Sequence, residues 1–533
     1  MTVTSGSAEA PVIAGFREPG SPDRRRPSTA GAAVGLTWLA CGIGLAVAAL
    51  VDLAGGATGA ARGEVVLPLA GCALGSGLAG ALLRRRYELP NQLRAGPLLA
   101  TVAVVWVSAV AVSAGAYLAT GTFDRLDDAV FESVSGFTTT GMTVLRPVEG
   151  TASGILLWRA LTQWLGGFAA VTVAVVVLPF FGGGGLELVE TDRGARRSAR
   201  LTPRVIHGAR RLSRVYVGLT AAVVVLYLAG GMGPFDAVTY ALTTASTGGF
   251  ANHTDSLGFF DSAVIEWVTI VAMVLAGANF ALYWHGLRGG RGSFLRSVEL
   301  RAYLIVMAAG ALVVAASTLA TDTAAVGASP AEAVRHAVFS VVAVVTTTGY
   351  SVVDWGTWVV GAQVLLLVLI GVGAMSGSTG GGFRLLRVLG MLAYVRRELV
   401  RQLHPRSVTV VKIGDQPLGE SLLARMICYA VLYVLVGAAA AVGVAAGGAE
   451  LVTAMSVSIS ALSTVGPALG ELSPAGDALA LDAPARGVLM ATMLAGRLEI
   501  YPVVALVAAA LVATRRRART VLDRVRRLVR ERP

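Results

Sequence analysis

Lysine is almost missing from this chain of 533 residues: Lys412 stands alone, and arginine supplies the rest of the positive charge behind a formal net charge of +12. Charged residues of both signs reach only 14%, well below the roughly one quarter usual in soluble domains, which excludes an ordinary soluble globular protein. Cysteine is scarce too. Cys41, Cys72 and Cys428 all fall inside apolar stretches; their spacing suits neither a disulfide framework nor a metal site, and they read as small buried hydrophobes. The five histidines, His207, His253, His285, His336 and His404, are scattered and form no metal or catalytic cluster. There is no Walker A motif and no GxGxxG unit of strand–turn–helix type, so no nucleotide-binding motif stands in the sequence. No nucleophile–base or carboxylate pair stands inside an apolar segment, which argues against an intramembrane enzyme. The basic total does not signal nucleic acid, because the arginines sit in the joints between apolar runs.

Hydrophobic length is what the chain has in abundance: 55% of its residues are hydrophobic. Runs near the ~20 residues needed to cross a bilayer recur at 31–53, 65–83, 97–119, 154–181, 213–231, 262–286, 300–320, 357–383, 423–446 and 486–513. A polar, Gly/Pro/Ser-rich tail ending in Arg24, Arg25 and Arg26 precedes the first run, which is too long for a signal peptide and lacks a clear cleavage site. Arginines crowd alternate joints: Arg84–Arg86 and Arg94; the stretch from Arg193 to Arg214; Arg288 to Arg301; Arg384 to Arg406; and the tail from Arg515 onward. The intervening joints are acidic, with Asp124, Asp127, Asp128, Asp236, Asp255, Asp354, Glu450 and Asp477 among them. The positive-inside rule therefore places both termini in the cytoplasm, and an acidic outer face raises the local cation concentration.

Four of the outward joints repeat one ungapped pattern: DAVFESVSGFTTTG from Asp128 to Gly141, DAVTYALTTASTGG from Asp236 to Gly249, HAVFSVVAVVTTTG from His336 to Gly349, and TAMSVSISALSTVG from Thr453 to Gly466. The closing glycines stand 108, 100 and 117 residues apart, a period that signals duplicated structural units. Each segment is too short to span, helix-compatible, and closed by small polar residues and glycine. That pattern predicts a re-entrant half-helix and an extended loop, since irregular backbone at membrane depth is tolerated only where it is buried in protein or lines a watery cavity. Glycine lets the backbone turn its carbonyls toward an axis, where rings of carbonyls replace an ion's hydration shell. The half-helices aim their partly negative C-terminal ends at the same place.

Eight of the thirteen residues in GVGAMSGSTGGGF (371–383) are Gly or Ser. Consecutive glycines favour a broken helix there over close helix packing through small residues. Arg497 falls within the last run, where an arginine costs about 2.5–3.5 kcal/mol on insertion scales; it either faces a pore or is paired. Glu499, two residues on, lies on another face of a regular helix. Arg159 and Gln163 open the second helix of the first unit and read as scaffolding for the loops; His253 falls at the outer mouth.

With TTTGMT (138–143), LWRALTQWLGGF (157–168), LTPR (201–204), STGGFANH (246–253), TTTGYS (346–351), SGSTGGGFRLLR (376–387), HPR (404–406) and AGRLEIYP (495–502), the sequence resembles the Trk/Ktr/HKT superfamily, in particular its TrkH-type potassium uptake pore subunits, from about residue 95 to 513. The resemblance implies an all-α polytopic membrane protein: two extra N-terminal transmembrane helices (31–94) and four membrane–pore-helix–membrane repeats (95–190, 191–290, 291–405, 406–513) around a pseudo-fourfold pore, between cytoplasmic tails 1–30 and 514–533. It implies a selectivity filter with K⁺ held at Thr139, Thr140, Gly141, Thr247, Gly248, Gly249, Thr347, Thr348, Gly349, Thr464, Val465 and Gly466. Gly141 at the first filter position favours K⁺, since relatives with Ser there tend toward Na⁺; the alternative is a Na⁺-preferring or Na⁺-coupled member of the superfamily. Thr464 stands where the fourth loop of the family usually has Asn. The resemblance further implies a gate at Gly377, Ser378, Thr379, Gly380, Gly381, Gly382 and Arg497, below the filter. It implies a bacterial cell membrane location, a homodimer, a cytoplasmic nucleotide-sensing TrkA-type ring as partner, and no cofactor in the chain itself.

Overall fold

The structure, a computed structural model, describes residues 26–55, 60–89, 95–176, 203–289, 296–320, 329–407, 409–501 and 503–504. Most of the N-terminal tail, the arginines of 193–200, Arg291, and the basic tail from Arg515 onward lie outside them. Helices dominate, and six of those described are long and apolar enough to cross a bilayer. Two short strand pairs complete the described secondary structure: Arg26–Pro27 runs parallel to Tyr87–Glu88, and Lys412–Ile413 antiparallel to Gln416–Pro417. The chain is an all-α polytopic membrane protein.

The first two helices, Thr29–Ala54 and Ala60–Arg86, form an antiparallel pair that glycine brings close. A Cβ on Gly42 would stand 2.9 Å from the Ala73 carbonyl, and one on Gly80 would stand 2.8 Å from that of Gly35. The pair is anchored to the rest of the molecule through buried Asp52, which accepts from the amide of Gly154 at 3.2 Å.

Four units follow, each an outer helix, a short pore helix and an inner helix. The outer helices are Ala95–Ala119, Pro203–Ala229, Val298–Ala320 and Glu420–Ala446. The pore helices are Leu126–Thr138, Pro234–Ala245, Pro330–Val345 and Leu451–Ser463. Their starts are written locally: Pro opens the second and third, and Ser329 accepts from the Glu332 amide. Acids in the first turn (Asp127, Asp128, Asp236, Glu332) complement the positive end of the helix dipole.

Two of the inner helices, the second and the fourth, depart from expectation, and the third breaks where its glycines predict. The first, Ser153–Val176, is continuous as far as it is described. The second stops at Ala276 and resumes at Phe280–Gly289; the third stops at Val372 and resumes at Leu385–Leu403; the fourth stops at Arg497 and is helical again from Tyr501. The continuous spans expected over 262–286 and 486–513 are therefore corrected. Asn279 caps the restart of the second, its Oδ1 accepting from the Ala281 amide, and Glu499 and Ile500 take left-handed backbone after the fourth. Each inner helix packs on the pore helix of the next unit, and the fourth packs on the first. One apolar core joins the N-terminal pair, unit 1 and the fourth inner helix around Phe131, Trp158 and Met493; another joins units 2 and 3 around Tyr303, Phe339 and Leu366.

Candidate ion pathway

Each pore helix closes in the same way. Thr139, Thr247, Thr347 and Thr464 follow the four helices with φ of 54°, 51°, 59° and 54°. The next residue in each loop donates its amide five residues back: Thr140 to Ser135, Gly248 to Thr243, Thr348 to Ala343, Val465 to Ser460, at 2.8–3.0 Å. This is the Schellman closure, built here on threonine where glycine is usual. A β-branched residue in left-handed backbone is strained, and strain repeated in four units marks a place the surroundings over-determine.

One residue further on, Gly141, Gly249, Gly349 and Gly466 have φ of 84°, 81°, 75° and 103°. The space beside them defines the arrangement. A Cβ on Gly141 would stand 2.4 Å from the Gly248 carbonyl oxygen; on Gly249, 2.1 Å from that of Thr348; on Gly349, 1.8 Å from that of Val465; on Gly466, 2.5 Å from that of Thr140. Each glycine thus lies against the carbonyl that precedes the next unit's glycine, and the series closes on itself. All four glycines also line one open funnel together with Arg159, His253 and Asp477.

The loops are braced from outside the ring. Gln163 donates to the Gly248 carbonyl at 2.7 Å and accepts from the Phe250 amide at 3.1 Å, clamping the second loop on both sides of Gly249. Buried Arg159 pairs with fully buried Glu132 at 2.8 Å, donates to Thr143 Oγ1 and the Ala251 carbonyl at 3.1 Å each, and stacks 4.3 Å above Phe250. Both residues do the scaffolding expected of them. Glu132, which the sequence groups with the acids of the outward joints, is instead fully buried and paired; an acid inside an otherwise apolar pore segment was the available signal. His253 sits in the funnel, stacked on Phe259 at 3.6 Å and 3.6 Å from Asp236. Higher in the mouth, Glu149 of the first loop accepts from both the amide and hydroxyl of Thr254 of the second, which holds its carboxyl below the usual carboxylate range.

Beneath the ring lies the segment 373–384, between the two halves of the third inner helix. Gly373, Gly377 and Gly382 have φ of 73–79°. Thr379 donates to the carbonyls of Ala245 and Ala276 at 3.2 Å each, and the Gly381 amide donates to Thr347 Oγ1 at 2.8 Å. A Cβ on Gly381 would stand 2.1 Å from Thr464 Oγ1. The segment therefore touches the ends of pore helices from three units. Arg497 donates from below to the Thr379 carbonyl at 2.8 Å and to that of Gly166 at 3.4 Å. The residues Gly377–Gly382 and Arg497 are thus brought together directly under Thr347 and Thr464. The buried hydroxyls of Thr139 and Thr464 have no protein partner, so the Asn expected in the fourth loop is replaced by a free hydroxyl beside the lower segment. Glu499 is not on another face of a continuous helix: the helix has ended at Arg497, and the Glu499 carboxylate pairs with Arg384 and Arg387.

Four non-identical re-entrant loops meeting on one axis inside a polytopic membrane protein define a pore-loop transport protein. The chain belongs to the TrkH family, described as cation transport proteins, whose sequence model matches residues 93–513; these are transporters, not enzymes. It is 38% identical over 382 residues to the Trk system potassium uptake protein TrkH of Halomonas elongata, covering 71% of this chain and 78% of that one. It is 32% identical over 384 residues to the protein of the same name from Escherichia coli K12, covering 72% and 78%. The crystal structure of the potassium transporter TrkH from Vibrio parahaemolyticus matches 90% of this chain and 97% of its own with a TM-score of 0.79 at 29% identity.

Proposed function

We propose that the protein takes up K⁺ across a bacterial cell membrane through a filter made of Thr139–Gly141, Thr247–Gly249, Thr347–Gly349 and Thr464–Gly466. The observation that carries this reading is the closed cycle in which every filter glycine abuts the carbonyl of the next loop. Such a cycle is how backbone oxygens from four units surround one ion and substitute for its water. The C-terminal ends of the four pore helices face the same point and favour positive charge. The relatives named as potassium uptake proteins support K⁺ as the cargo, and Gly141 at the first position supports K⁺ over Na⁺.

The segment from Gly377 to Gly382, with Arg497, is the gate. It lies across the path under the filter, and a fixed guanidinium there repels a passing cation. A cytoplasmic TrkA-type nucleotide-binding ring docks on the arginine-rich joints and moves the gate; the chain needs no cofactor of its own and pairs as a homodimer. The distribution of arginine supports a cytoplasmic location for both termini.

Growth of a bacterium lacking its own K⁺ uptake systems tests this at low K⁺, with the chain expressed alone and together with a ring subunit. Rescue that the ring enhances, and that excess Na⁺ does not compete away, is the expected result. No rescue by a protein that reaches the membrane, or equal competition by Na⁺, overturns the K⁺ reading.

A further inference from the structure

We infer that Glu499 is a positioning residue for the gate: its carboxylate ties the exit of the segment 373–384 to the break in the fourth inner helix, and releasing that tie lets the segment leave the axis. The inference rests on reading that segment as the gate, and goes beyond it by naming the joint that holds it shut.

Backbone strain is concentrated at this joint. Among the described residues, the non-glycine positions with positive φ are the four filter threonines, Ser256 and Asp261 in an outer loop, and Arg384, Glu499 and Ile500. The last three meet at one corner. Arg384 (φ 74°) is where the gate segment enters the helix Leu385–Leu403, and Glu499 (φ 63°) and Ile500 (φ 45°) follow the fourth inner helix. Left-handed backbone at such residues persists only where something external imposes it. For Arg384 that agent is the ion pair with Glu499; at Glu499 the turn is closed as at the filter threonines, the Ile500 amide donating to the Ala495 carbonyl at 2.8 Å.

Arg384 Nε lies 2.7 Å from Glu499 Oε1, and Arg387 Nη2 donates to Glu499 Oε2, so one carboxylate engages two guanidiniums, one per oxygen. Arg387 also donates to the Phe383 carbonyl at 3.1 Å and stacks 3.9 Å above Tyr429 of the fourth outer helix. Tyr501, just past the corner, donates to the Arg425 carbonyl of that same outer helix at 2.7 Å. The charged groups facing the corner are therefore Arg384, Arg387 and Arg497 against Glu499. On the entry side of the gate segment, Glu299 adds a second carboxylate, accepting from the Ser376 amide at 2.7 Å. Without the Glu499 charge three buried guanidiniums face one another, and the strained turn at Arg384 loses its partner across the joint. Arg384 can then relax toward right-handed backbone, and the segment it ends pulls away from Thr347 and Thr464.

Two roles for Glu499 give opposite signs. As a tie, its loss opens the gate; as a neutralising charge for the pathway, its loss leaves more positive potential and slows cations. The test is Rb⁺ tracer flux into liposomes holding the full-length protein with no cytoplasmic partner. Glu499→Gln is expected to raise partner-free flux about tenfold, the shift that about 1.4 kcal/mol of lost closed-state bias produces. Arg384→Gln should raise it similarly, and the double variant should add nothing further, since both cut the same link. Glu499→Asp, which keeps the charge, should stay near wild type. Flux lowered or unchanged in folded Glu499→Gln and Arg384→Gln overturns the inference. If Glu499→Gln gives no monodisperse protein, Arg384→Gln, which removes one of the excess positive charges, decides by the same criterion. Arg497→Ala separates the two readings. A rise there without one in the Glu499 and Arg384 variants sinks the tie alone, whereas no rise in any of them sinks the gate.

Discussion

Gly349→Ala isolates the ring of carbonyls from everything else in the molecule. Two costs compete. Left-handed backbone at φ 75° costs an alanine about 1–2 kcal/mol, which a membrane protein of this size survives. The contact is the larger effect: a Cβ there would stand 1.8 Å from the Val465 carbonyl oxygen and 2.8 Å from Pro467 Cδ. No carbon and oxygen coexist at that separation, so the Val465 carbonyl must retreat by more than an ångström, and that carbonyl belongs to the ring. Close-packed interiors do not absorb such a shift smoothly. The expected outcome is a protein that purifies and melts only a few degrees lower, with K⁺ flux in liposomes reduced about tenfold or more, or with its K⁺ preference over Na⁺ lost, each equivalent to at least ~1.4 kcal/mol. The other glycines should rank by their clearances, with Gly249→Ala (2.1 Å) next and Gly141→Ala (2.4 Å) and Gly466→Ala (2.5 Å) milder. Gly361→Ala is the control, because nothing lies within 4 Å of its would-be Cβ. Unaltered rate and selectivity in Gly349→Ala, or equal damage from Gly361→Ala, would refute the reasoning.

Three further outcomes are expected. Arg159→Ala strands a fully buried Glu132 and should lower unfolding free energy by about 3–5 kcal/mol; Arg159→Lys should recover only part of it, because one ammonium cannot reach Glu132, Thr143 and Ala251 as the guanidinium fork does, and chemical unfolding in detergent measures both. Gln163→Ala removes the clamp on either side of Gly249 and should depress flux while costing only about 1 kcal/mol per lost hydrogen bond in stability; wild-type flux would show that the second loop holds itself. Glu149 is depressed by its bonds from Thr254, so its contribution is present above the unfolded carboxyl pKa and is lost as outside pH falls through the lower folded value. Protection of the Thr254 amide from hydrogen exchange should therefore fall away only below the usual carboxylate range, and Glu149→Gln should abolish that pH dependence.

The repeat was legible because it is local. Fourteen ungapped residues ending in glycine carry the helix, its closure and its turn, and the period of about a hundred residues announces four copies. The arginine joints and apolar runs were legible for a similar reason, since bilayer thickness and charge act on each segment separately. The breaks in the inner helices were not equally legible. In the third unit the glycines of 371–383 are dense enough to show. In the second, GAN at 277–279 carries only one glycine, and in the fourth Glu499 and Ile500 turn left-handed where no glycine stands to mark the turn.

Composition, hydropathy and spacing were enough by themselves to establish a polytopic membrane protein with four pore-loop units, because each of those properties is decided within a segment of a few tens of residues. Which carbonyl faces which glycine, that Arg159 pairs with Glu132 and braces the second loop, and that one carboxylate at Glu499 engages both Arg384 and Arg387 were decided only by the tertiary structure. Arg159 and Glu132 stand 27 positions apart on two helices of one hairpin, while the other contacts join different units; these last depend on how four similar hairpins close around one axis, which no single hairpin encodes.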